Sequence, residues 1–164
     1  MVRGVSVRTV RGVAAALVGG ALLAGCSWQV GDLEEVAEYH QVESDGVSLE
    51  VLDGMESAQA PEGFTAFWQT AAGTSTVSVG IAPGVEPEAF TEAQVAEMGR
   101  VMGDVETEVD GAADATRFTG TGVDGERYTG LIAVRGSTGV LVSGDEDVSD
   151  DVLQHVVDSV AATP

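Results

Sequence analysis

"ATRFTGTGVDGERYTGLIAVRGSTGVLVSGD", residues 115–145, is the stretch whose pattern decides the fold. It holds three strand-like runs separated by two turn signals. Asp124-Gly125 predicts a two-residue hairpin turn, because such turns need the positive φ that this pair tolerates. Gly136-Ser137-Thr138-Gly139 marks the second reversal. Three runs joined by local reversals make an antiparallel meander, whose apolar face must be covered by something else.

The cover lies just downstream. In "VSDDVLQHVVDSVAATP", residues 148–164, Val152, Leu153, Val156, Val157 and Val160 fall on one helical stripe. Ser149 can cap this helix, and Asp150 and Asp151 place negative charge at its dipole-positive end. A second helix is predicted over Glu86 to Met102. Pro87 sits in its first turn, acids fill its N-terminal half, and Phe90, Val95, Met98 and Met102 form an imperfectly spaced apolar side. Gly99 and Gly103 weaken its end.

Ahead of that helix the period changes to two. Val47, Leu49 and Val51 alternate in "VSLEVL", and Val77, Val79 and Ile81 alternate in "TSTVSVGIAPG". Between them, "APEGFTAFWQT" offers a Pro-Glu-Gly turn and a strand through Phe64 to Gln69. The predicted order is three strands, a helix, a three-strand meander and a closing helix. Helices segregated from antiparallel strands define an α+β domain over residues 45–164, with a central and a C-terminal helix packed on the sheet.

The remaining sequence is N-terminal. Arg3, Arg8 and Arg11 precede an uncharged run, Val13 to Gly25, that is shorter than the roughly 20 residues of a membrane span. The run ends at Cys26, the only cysteine, so no intramolecular disulfide can form. Leu23-Ala24-Gly25-Cys26 resembles the lipobox of bacterial lipoproteins. That resemblance implies a diacylglycerol on the Cys26 thiol, cleavage before Cys26 and display on the extracytoplasmic face of the cell membrane. It divides the chain into a signal peptide (1–25), a lipid anchor with an acidic tether (26–44) and the α+β domain (45–164). Each buried methylene of an acyl chain adds about 0.8 kcal/mol, so one chain holds weakly and two hold firmly. An ordinary cleaved signal, a short uncleaved anchor and a buried helix with a free thiol are the alternatives. Trp28 suits either the membrane interface or open solvent.

The element order resembles the PsbP-like fold, including its LpqN-type lipoprotein members. The features that carry the resemblance are Pro61-Glu62-Gly63-Phe64, the central helix and the closing "VVDSVAA". Such domains are mostly binding or assembly modules without catalytic residues, and the resemblance implies the same here.

Charge narrows the partners. The chain has 7 Lys+Arg, all of them arginine, and 27 Asp+Glu. Without residues 1–25 the balance is 4 arginines against 27 acids, a net −23. Phosphate backbones and anionic head groups repel such a domain, so no nucleic acid is expected as a partner. A protein or small ligand in the envelope is.

The chemistry-bearing residues are sparse. His155 falls on the polar side of the last helix and His40 sits in the tether without an evident partner. No Gly-x-Ser-x-Gly elbow occurs, so no catalytic residue is assigned. "GDEDVSDD", residues 144–151, lacks the glycine and glutamate of a calcium loop and reads as helix capping; no metal or cofactor is expected. "GTGVDG" lies in a hairpin and opens no helix, unlike a dinucleotide fingerprint. Phe64, Phe67 and Trp68 form the one aromatic cluster, with Phe67 and Trp68 on opposite faces of a strand. If Trp68 is exposed, it is the candidate for partner contact. The expectation is a lipid-anchored, non-enzymatic binding or assembly module, with an envelope hydrolase as the alternative.

Overall fold

A computed structural model describes residues 37–70, 76–111 and 114–162. The signal segment, the lipobox Leu23-Ala24-Gly25-Cys26 and Trp28 lie outside the described residues. In chain order the elements are β1 (Tyr39–Ser44), β2 (Val47–Leu52), β3 (Met55–Ala58), β4 (Ala66–Thr70), β5 (Val77–Pro83) and α1 (Pro87–Val101). They continue as β6 (Gly103–Asp110), β7 (Ala115–Thr121), β8 (Arg127–Arg135), β9 (Thr138–Asp145), α2 (Asp150–Asp158) and β10 (Ala161–Ala162). The fold is α+β, and every strand pairing is antiparallel.

Two sheets form. The larger has seven strands in the order β3-β4-β5-β9-β8-β7-β6, and the smaller is β1-β2-β10. β5 and β9 pair over seven residues, from Val77 with Gly144 to Pro83 with Thr138, and this seam joins the early strands to the meander. The chain then crosses β9, β8 and β7 through α1, leaving β5 and re-entering at the far edge as β6.

Alternation along the strands builds three layers. Val79, Ile81, Leu131, Val140 and Val142 point to one face, where Val152, Leu153, Val156 and Val157 of α2 meet them beside Val47, Leu49 and Val51 of β2. Phe118, Ile132 and Leu141 point to the other face, where Phe90 of α1 covers them with Val95, Met98 and Met102 partly buried around it. The two predicted helices therefore pack on the sheet from opposite sides. Ser149 accepts from the Val152 backbone N–H and caps α2. Arg117 pairs with Asp110 and Asp150, and Arg135 with Asp158 at 3.2 Å, tying both ends of α2 to the sheet.

Four local features differ from the sequence reading. The stretch 26–44, expected as a tether with possible local helix or strand, carries at its end the strand β1, Tyr39–Ser44, which pairs with all of β2 and so belongs to the folded domain. Its acidic, irregular sequence suits an edge strand that needs only one neighbour. β3 and β6 were not anticipated. β3 follows Asp53-Gly54, a turn at Gly54 φ +86 that carries the chain from one sheet to the other. β6 reads "GDVETEVD": Glu106, Glu108 and Asp110 share one face, opposite Thr119, Arg117 and Ala115, and the other face carries no apolar stripe because this exposed edge leaves Val109 80% exposed. Finally, the turn after β7 spans residues 122–126, not two. The Asp124 carboxylate accepts from the Glu126 N–H and from the Tyr128 hydroxyl at 2.7 Å, holding a wider loop with Gly125 at φ +85. The two-residue hairpin is the next one, Gly136-Ser137, with Gly136 at φ +63.

Candidate functional site

Trp68 is 6% exposed and does not offer a partner surface. It stands opposite Val79 and Ser57 in the ladders, on the face buried beneath α2 and the small sheet. Alternation then sends its neighbour Phe67 to the other face, opposite Gly80. That side of β4 is covered only in part, because α1 lies farther along the sheet.

The uncovered strip is a groove of about 760 Å³ between α1 and the Pro61–Phe67 segment. That volume lies within the range of about 300–1,000 Å³ usual for small-ligand sites. Phe64, Phe67, Met98 and Leu141 line it with carbon. Glycines set its depth. A Cβ on Gly80 would stand 2.7 Å from the Phe64 ring, and one on Gly139 would stand 2.7 Å from Phe90. Both rings thus lie against bare backbone, meeting edge to face with centroids 6.1 Å apart. Phe64 is wedged in place as one wall of the groove, with Ala93 and Val101 of α1 as the other.

Two polar features complete it. Gln94 is 8% exposed, and its side-chain amide makes no hydrogen bond among the described residues. Among the described residues, no fully enclosed side-chain nitrogen or oxygen lacks a partner, so this amide reaches the open space of the groove it lines. On the rim, Arg100 donates from Nε to Glu97 at 2.8 Å and from a terminal nitrogen to the second carboxylate oxygen. That hydrogen bond and the charge behind it hold Glu97 below its usual carboxylate range and raise Arg100. The rim's cation is thereby neutralised. Glu62, across the groove, has no such partner among the described residues.

The histidines lie elsewhere. His40, read as partnerless, has its Nδ1 3.0 Å from Asp53 because β1 pairs with β2 and brings the two together. His155 is exposed, stacks on Tyr39 at 3.9 Å between centroids, and places Nε2 2.7 Å from Glu50. Neither lines the groove. Among the described residues, no group of three or more His, Cys, Asp or Glu is placed to hold a metal ion. The acidic run 144–151 has structural uses instead. Asp145 accepts from the Thr76 N–H at 2.6 Å and from the Asp147 N–H, Ser149 caps α2, and Asp150 meets Arg117.

No protein-family model matches the chain, and no curated protein matches it. Among solved structures, the chain is similar to cyanobacterial PsbP (CyanoP) from Synechocystis sp. PCC 6803. The two share 9% sequence identity at a TM-score of 0.41, over 87% of this chain and 99% of that one. The α+β assignment rests on this chain's own sheets and helices. No described helix is long and apolar enough to cross a membrane.

Proposed function

We propose that this protein is a lipid-anchored, non-enzymatic binding module of the cell envelope, which holds its partner in the groove between α1 and β4. The groove carries the reading: an apolar floor with one amide left without a partner among the described residues is suited to bind and orient a segment laid along it. Leu23-Ala24-Gly25-Cys26, after three arginines and an apolar run, supports the anchor and the extracytoplasmic location. Anchoring raises the effective concentration of the domain near membrane partners, and its excess of acids keeps it off anionic lipid.

Two measurements test this. Photocrosslinking in intact cells from a reactive residue at position 93, inside the groove, is expected to trap an adduct that the same probe at position 106 on β6 does not. Identical adducts from both positions, or none from 93, refute the binding role of the groove. For the anchor, Cys26→Ala is expected to abolish labelling by a palmitate analogue and release the protein from the membrane fraction; unchanged retention refutes lipidation.

A further inference from the structure

We infer that the occupant of the α1 groove is an extended basic peptide segment with apolar side chains, belonging to another protein; this rests on the groove being the binding site. Three observations converge on it.

The first is Gln94, a residue only 8% exposed, whose amide has no partner among the described residues and opens to the groove it lines. A carboxamide has a donor and an acceptor side by side, the complement of the N–H and C=O that a peptide backbone presents. An acyl chain has neither, so it would cover this amide without pairing it, the unfavourable case for a polar group. The second is the floor of Phe64, Phe67, Met98 and Leu141, which takes apolar side chains. From Ala93 to Val101, α1 rises about 12 Å, the span of three to four extended residues, so the groove matches a short segment rather than a whole helix.

The third is charge. Glu62 on one rim has no ion-pair partner among the described residues, Glu97 has already taken Arg100 on the other, and Glu88 and Glu92 lie exposed farther along α1. Of the four arginines after Cys26, Arg100, Arg117 and Arg135 are engaged with acids of the same domain. What reaches an approaching partner is an almost unopposed negative field, which draws in cations and turns away anionic lipids and nucleic acids. Lys or Arg flanking an apolar anchor meets the rim while the anchor fills the floor.

The test uses the full chain in neutral phosphatidylcholine vesicles. The probes are a fluorescent octapeptide alternating arginine and leucine, its glutamate-for-arginine counterpart, and oleate as an acyl probe. The arginine peptide is expected to bind at least about tenfold tighter than the glutamate peptide, and to weaken about tenfold between low and roughly 0.5 M salt. Ala93→Trp, which fills the groove from an exposed wall position, is expected to abolish binding. Gln94→Leu is expected to weaken it about fivefold, one hydrogen bond's worth. Equal affinity for both peptides overturns the cationic assignment. Oleate binding that Ala93→Trp abolishes, with no peptide binding, overturns the peptide while leaving the groove a site. Binding of any probe that is indifferent to Ala93→Trp, or binding of none, overturns both readings.

Discussion

Gly130→Ala isolates the packing argument in a single methyl group. Gly130 lies in β8, a strand flanked on both sides, with extended backbone that alanine also adopts. A Cβ there would stand 2.5 Å from Phe118 Cζ and 2.6 Å from Cε1, and would run into the Val142 carbonyl oxygen of β9. Phe118 is 1% exposed, so its ring has nowhere to swing, and the carbonyl belongs to the β8–β9 ladder. Overpacking of this kind costs about 1–3 kcal/mol, and the backbone clash puts it near the upper end. Loss of unfolded-state freedom returns about 0.4–1 kcal/mol, leaving a net destabilisation of about 2 kcal/mol. Gly99→Ala is the matched control. Gly99 is exposed on α1 with nothing within 4 Å of an added Cβ, so the same chemical change should stabilise by about 0.5–1 kcal/mol. Urea denaturation followed by circular dichroism reads both, with the midpoint of Gly130→Ala falling about 1 M below the parent. Adding Phe118→Leu to Gly130→Ala should recover part of the loss, because the two sites share one volume. A Gly130→Ala protein as stable as Gly99→Ala would sink the claim that rings lying on glycines set the spacing of this sheet.

Tyr128 donates to Asp124, and that hydrogen bond, with burial and neighbouring carboxylates behind it, pushes the phenol up to about 12. A folded value above the unfolded one near 10 means this contact stabilises fully below pH 10 and is lost as pH rises through about 12. Ultraviolet titration should show one tyrosine ionising near 12, returning toward 10 in Asp124→Ala; no late-titrating tyrosine would contradict the contact. The same bond lowers Asp124, so its contribution holds above the ordinary carboxylate range and disappears as pH falls through the folded value. Ser149→Ala removes the α2 cap and should cost about 1 kcal/mol in the same urea assay, with Ser149→Asp close to the parent; equal stability of Ser149→Ala would show that packing alone starts the helix.

Period and turn chemistry made the meander and α2 legible, since each carries its own apolar stripe and its own stop signals. Tyr39–Ser44 and Gly103–Asp110 were not legible, because an edge strand has no fully buried face to demand an apolar stripe and its acids look like tether or loop. The groove was half legible. Phe67 and Trp68 had to face opposite ways, but sequence alone does not say which way is inward.

By itself, then, the sequence determined an α+β domain, a field of strong negative charge and a lone Cys26 at the end of an apolar run. All three follow from local pattern or simple counting. Only the tertiary structure decided that Trp68 is buried and Phe67 borders open space, and that Gln94 lines the groove beside it. Those facts depend on which sheet face α1 and α2 each cover. The pairing of β5 with β9, some sixty residues apart in the chain, sets that choice, and no local window contains it.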